Sequence, residues 1–230
     1  MSSTRLPGKI MKEVNGKTML EYQVNRLSGL NAQLVVATSS KPSDDVIETW
    51  CQKKGIAVYR GDELDVLDRF YKANEVFGGD IIVRVTSDCP LIDATLIAQG
   101  LAIFDSVNSD SCYVSNCFPR TYARGFDFEI FSSAMLKEAY SQATDEGDRE
   151  HVTPYFWKNR HGKYDIQNIA QEEKHSHLRI TLDEEDDFTL IKKLIEEYNA
   201  SELNYAQIEQ ILQSHPELCA INAHIEQKKA

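Results

Sequence analysis

The chain is short of positive charge. Its 230 residues carry 25 Lys and Arg against 36 Asp and Glu, a formal net charge of −11. Such a surface repels a phosphate backbone or an anionic membrane, which leaves nucleic acid and membrane out as partners. An anionic ligand has to be met by a few local cations working against the overall field. Long apolar runs are also lacking. None approaches transmembrane length, and the opening MSSTRLPGK has no apolar signal core. Cysteine is scarce and unpatterned: Cys51, Cys89, Cys112, Cys117 and Cys219 are an odd number, widely spread, with no CxxC pair. Cys112 and Cys117 do not have zinc spacing, and the expectation is reduced thiols in a cytoplasmic protein. No repeat of fixed period and no low-complexity linker interrupts the sequence.

What is present is ordinary for a globular protein, with 42% hydrophobic and 27% charged residues. A chain of this length buries a core without disulfide or metal staples. Short apolar, branched runs alternate with amphipathic stretches. Strands are expected at 33–38 (QLVVAT), 56–59, 80–86 (DIIVRVT), 111–115, 126–131, 164–169 and 178–182. Helices are expected from about 43 to 54, closed by Gly55, and from 65 to 77, closed by Gly78-Gly79. Others follow at 94–104, 133–143, 151–160, 186–198 and 205–213. Trp50 and Trp157 fall within these patterns as packing residues. The alternation implies an α/β fold, a mainly parallel sheet covered by helices on both faces. Residues 1–200 read as one domain, and 201–230 as a C-terminal helix and polar tail.

Ligands of such sheets bind beyond the carboxyl ends of the strands. Three segments carry chemistry there. In Ser2-Ser3-Thr4-Arg5-Leu6-Pro7-Gly8-Lys9, small residues and two cations suit a polyphosphate cradle, or equally a flexible basic tail. The spacing is not that of GxxxxGK[ST]. In Val85-Thr86-Ser87-Asp88-Cys89-Pro90, an aspartate at a strand end can hold Mg²⁺ or cap the next turn. In Arg179-Ile180-Thr181-Leu182-Asp183-Glu184-Glu185, an acidic cluster suits a helix N-terminus, and Asp183 lies nearest the strand end. His175 and His177 could share a strand face as metal ligands, but two histidines without a third are more often solvent-facing.

Together these segments resemble a family. STRLPGK, DVLDR (65–69), RVTSDCPLID (84–93), RGFDFE (124–129), REHVTPY (149–155) and LRITLD (178–183) occur in that order. They look like the cytidylyltransferases that make CMP-activated acidic sugars, closest to the spore-coat polysaccharide branch. The acylneuraminate and 3-deoxy-manno-octulosonate cytidylyltransferases are related. The resemblance implies a Rossmann-like three-layer sandwich with a mainly parallel mixed sheet and 1–200 as its nucleotide-binding domain, with CTP as co-substrate, an acidic sugar as acceptor, Mg²⁺ as cofactor and a homodimer. It places Arg5 and Lys9 on the CTP phosphates with Ser2, Ser3, Arg69 and Thr86 beside the nucleotide. Asp88 and Asp183 fall on the metal, and Arg124, Asp127, Glu129, Arg149, Glu150 and His151 toward the sugar. A nucleotide-sugar glycosyltransferase of the same architecture is the alternative, but neither Asp88-Cys-Pro nor Asn108-Ser-Asp supplies its D-x-D motif. A truncated, non-catalytic nucleotide-binding module is another. In the resembling family the Arg5–Lys9 loop follows a central first strand ending in Gln-Ala-Arg. Here Met1 stands directly before the loop, so the expectation is a misplaced start with an apolar β-run encoded in frame upstream.

Overall fold

The computed structural model describes Met1 and residues 5–227. In chain order the elements are β1 (Glu13–Val14), β2 (Lys17–Thr18), α1 (Met19–Leu27), β3 (Val35–Ser39), α2 (Asp45–Lys54), β4 (Ala57–Gly61), α3 (Val66–Phe77) and β5 (Ile81–Arg84). Then come α4 (Ala94–Val107), β6 (Cys112–Ser115), β7 (Glu129–Ser132), α5 (Ser133–Gln142), α6 (Glu146–His151), α7 (Pro154–Trp157) and β8 (Asp165–Asn168). The chain closes with α8 (Glu185–Tyr198), α9 (Tyr205–Ser214) and α10 (Pro216–Ala220). Local chemistry sets many of these ends. Asp65 and Asp93 accept from the first-turn amides of α3 and α4, and Gly55 closes α2 at φ 69°.

The main sheet has the order β5-β7-β6-β8, in which only β7 is reversed. Its side chains alternate between two cores. Cys112, Val114 and Ile130 join a cluster with α4, α8 and α9, whereas Tyr113 and Phe131 join one with α3, α5 and α7. Helices therefore cover both faces, and the three-layer α/β expectation holds. The tail helices share the larger core through Tyr205, Ile208, Leu212 and Leu218.

β3 and β4 pair in parallel as a separate ribbon. Among the described residues no strand lies between β3 and β5. Their facing edges border a groove of about 440 Å³, floored and roofed by α1 and α3.

Three expectations need correction. Residues 178–182 form no strand: they run beside the 123–125 segment through a single bridge, Arg124 with Arg179. Gly125 makes that approach possible, since at φ 103° a Cβ would lie 2.6 Å from the Ile180 carbonyl carbon. The expected helix 151–160 breaks at Val152, φ 70°, into α6 and α7. His175 does not face solvent: it is half-buried, bound to Glu209 and to Gln171 at 3.1 Å. All five cysteines are free, as expected.

Candidate active site

The turn that follows β5 is fixed from two directions. Gln23 of α1 donates to the Thr86 and Cys89 carbonyls at 2.7 and 3.2 Å. The Leu182 amide donates to the Asp88 carbonyl at 2.8 Å, joining the approach to α8 to the end of β5. Asp88 and Asp183, ninety-five positions apart in sequence, thereby converge. Between them stands the Lys9 ammonium, 3.5 Å from Asp88 Oδ2 and 2.8 Å from Asp183 Oδ1. Arg5 approaches Asp183 Oδ2 at 3.4 Å and Glu184 at 3.0 Å.

The charges reinforce one another. Burial alone would lower the Lys9 pKa, but Asp88 and Asp183 outweigh it and raise the value. Burial would raise that of Asp183, and Lys9, Arg5 and Arg179 together hold it below the usual carboxylate range. Both groups are thus charged at neutral pH. Two carboxylates that both point at one cation are a donor set suited to Mg²⁺, a hard cation that takes one or two carboxylates and fills its remaining positions with phosphate oxygens and water.

Beside this cluster lies a cavity of about 210 Å³ whose wall includes Arg84, Arg120, Asp127, Glu129, His151 and Trp157. Arg120 forks onto Asp127, and Arg84 binds Glu129, which also accepts from Tyr113 Oη at 2.7 Å. Phe118 stacks on Trp157 with ring centroids 4.5 Å apart. Cys117, also on the wall, has its thiol pushed up to about 12 by burial. Arg84 and Thr86 line both this cavity and the groove, and Arg69 and Glu150 line the groove. The Nε atoms of Arg69 and Arg84 are buried without a hydrogen-bond partner among the described residues.

The structure thus gathers Arg5, Lys9, Thr86, Asp88 and Asp183 in one place, and Asp127, Glu129 and His151 in the adjoining cavity. It takes Arg149 elsewhere, to Asp65 at 2.7 Å. Arg124 contributes its backbone to the bridge with Arg179, and burial and Arg120 lower its pKa. Ser2 and Ser3 lie outside the described residues. Sequence reasoning missed Arg84, Arg120, Phe118 and the site-facing role of Trp157. Arg84 opens a motif already singled out, and that was the available signal; Arg120 becomes visible only once Asp127 folds back beside it.

Cations from an N-terminal loop and carboxylates from two chain segments meet at one end of a layered α/β sheet. That combination of charges suits a phosphate-bearing ligand beyond the end of β5. A family model described as cytidylyltransferase matches residues 1–225. An uncharacterised protein of Methanocaldococcus jannaschii is 33% identical, with 98% of this chain and 92% of that protein covered. The spore coat polysaccharide biosynthesis protein SpsF of Bacillus subtilis is 32% identical over 84% of this chain and 82% of its own length. The structure of a cytidylyltransferase from Leptospira borgpetersenii superposes with a TM-score of 0.90 at 31% identity, covering 100% of this chain and 95% of that one. The chain belongs to the cytidylyltransferase family. It is an enzyme, of a family whose substrates are CTP and a sugar. No helix among the described residues is long and apolar enough to cross a membrane.

Proposed function

We propose that the protein transfers CMP from CTP to a hydroxyl of an acidic sugar, releasing pyrophosphate, in the synthesis of a polysaccharide. The observation that carries this reading is the Lys9 ammonium set between Asp88 and Asp183 with Arg5 alongside. The sugar hydroxyl oxygen attacks the α-phosphorus, the bond to the β-phosphate oxygen breaks, and the hydroxyl proton passes to solvent. Such a transfer needs positioning and charge neutralisation, with no covalent intermediate on the protein. Asp88 and Asp183 would hold Mg²⁺, which neutralises phosphate charge when bound. Arg5 and Lys9 meet the departing pyrophosphate. Arg84 and Arg69, each with a spare buried donor, suit the nucleotide side. In the adjoining cavity Asp127 and Glu129 can accept sugar hydroxyls, and Arg120 and Arg84 supply charge for a carboxylate.

Pyrophosphate release tests the proposal, measured with CTP and Mg²⁺ across a panel of acidic sugars and repeated with ATP, GTP and UTP. Release with CTP and at least one acidic sugar, well above that with the other nucleotides, is the expected result. Equal rates with all four nucleotides would reject the base assignment.

A further inference from the structure

Asp183 is gripped from behind as well as from the site. Arg179 Nη2 donates to Asp183 Oδ2 at 3.0 Å and to Asp187 Oδ2 at 2.8 Å, while its Nε reaches Asp187 Oδ1 at 2.8 Å. Asp187 is fully buried, and its Oδ2 also accepts from the Asp183 and Glu184 amides at 2.9 and 3.0 Å. The fifth hydrogen bond to Asp187 comes from beyond α10. Asn222 Nδ2 donates to Asp187 Oδ1 at 2.8 Å and to the Arg179 carbonyl at 3.0 Å, and Asn222 is 3% exposed.

One part of this arrangement has a plain explanation. The bond from the Glu184 amide to Asp187 belongs to a capping box at the start of α8. Capping leaves Asp187 Oδ1 unaccounted for, since that oxygen faces only Arg179 and Asn222. It gives no reason for Asn222 to hold both the carbonyl and the ion-pair partner of the same arginine. A bidentate Arg179–Asp187 pair fixes the guanidinium plane, and the remaining Nη2 proton then fixes where Asp183 Oδ2 sits.

We propose that Asp187 and Asn222 are positioning residues for Asp183, so that the chain after α10 sets the carboxylate geometry at the metal–phosphate site. The proposal rests on Asp183 acting as a metal ligand, as inferred above. Partners one step removed from a metal commonly change its affinity by 10- to 100-fold when altered, without touching the ion.

The test uses Asn222→Ala in the full chain, with Asp183→Asn as reference. Mn²⁺ serves as a paramagnetic stand-in for Mg²⁺, its free concentration read by electron paramagnetic resonance in the presence of CTP. Asn222→Ala is expected to keep its circular dichroism spectrum, weaken Mn²⁺ binding about tenfold and raise the Mg²⁺ concentration for half-maximal turnover. Excess Mg²⁺ should restore its kcat but not that of Asp183→Asn. Should Asn222→Ala not fold, Asp187→Asn keeps the side-chain shape and is read in the same way. Wild-type Mn²⁺ affinity in either folded variant, with the affinity lost in Asp183→Asn, overturns the positioning role alone. Wild-type affinity in Asp183→Asn removes the ligand assignment, and the positioning proposal falls with it.

Discussion

The two parts of the sheet are built differently. Every residue of β6 and β7 is buried, whereas β4 is half-buried along its length and β5 begins at Ile81 with 41% exposure. The cause is pairing. β7 has β5 and β6 on its two edges, and β6 has β7 and β8. Among the described residues β3 and β5 each turn one unpaired edge to the groove, whose wall mixes apolar side chains with Gln23, Arg69, Arg84 and Glu150. Proximity to the closed part decides how the site residues are held. Glu129 lies on β7, within hydrogen bonds from Tyr113 and Arg84, while Lys9 and Arg5 sit on a loop and are fixed by ion pairs. Ion pairs occur in both halves of the site, but Glu129 is also fixed by a fully buried strand, whereas Lys9 and Arg5 depend on their ion pairs.

That contrast can be broken most sharply by removing charge without volume. Asp88→Asn is expected to lower turnover by about 10²–10³, the size of effect seen when one electrostatic partner of a transition state is deleted. Its melting temperature should stay close to wild type, because Asp88 belongs to the charge-positioned side. Pyrophosphate release and thermal melts check both limbs, and wild-type turnover in a folded variant rejects the role.

A second pair of substitutions probes packing. Ile130→Ala empties a fully buried position in the closed part and should cost about 2–5 kcal/mol. Val36→Ala removes a half-buried side chain bordering the groove and should cost about 1 kcal/mol or less. Urea unfolding at neutral pH measures both; equal losses would mean that the two parts are equally consolidated.

The same contrast explains what the sequence made legible. β5, α2, α3 and α8 were readable because their signals are local: a branched run, Asp65 as a cap, Gly55 as a stop. The strand-end rule pointed to Asp88 and Asp183 together, although only Asp88 follows a strand, β5, and Asp183 follows a segment joined to its neighbour by a single bridge. Lys9 was expected there only through the family resemblance. The 178–182 segment misled because its partners are loops, and no local pattern distinguishes a bridge from a ladder. The β1–β2 hairpin and α1 were not anticipated, although Asn15-Gly16, both at positive φ, is a recognisable hairpin turn. The Arg120–Asp127 pair and the Phe118–Trp157 stack exist only after the chain has folded, so nothing short-range announces them.

The groove offers a third test. Met1 lies at the carboxyl end of β3, its ammonium 2.9 Å from Asp44. An apolar run of about five residues joined to the Met1 nitrogen could pass between β3 and β5 and pair with both edges. Such a fusion should stabilise the protein by about 2 kcal/mol, or about 4–8 °C in melting temperature. A charged run of equal length should give no gain. Equal melting for the two fusions would show that the groove does not accept a strand.

The smallest expected effect concerns Asp44 at the end of the β3 ribbon. Burial alone would raise its pKa, but hydrogen bonds from Thr38, the Met1 ammonium and Ser39 prevail and hold it well below the usual carboxylate range. A group depressed on folding stabilises the folded state above its unfolded pKa of about 3.9 and loses that contribution as pH falls toward the folded value. Asp44→Asn removes the charge and keeps the shape. At pH 7 the variant should be less stable by about 1.5 kcal/mol, the low end of the range for a hydrogen bond to a charged group. The gap should hold down to about pH 5 and narrow below pH 4, where protonation makes the wild-type side chain resemble the amide. All other carboxylates are common to both proteins, so their titration cancels in the difference between two urea curves. A gap that stays constant from pH 7 to pH 2.5 would assign the stability to the shape of the site rather than to its charge, and the ribbon would then resemble the closed half of the sheet in being held by packing.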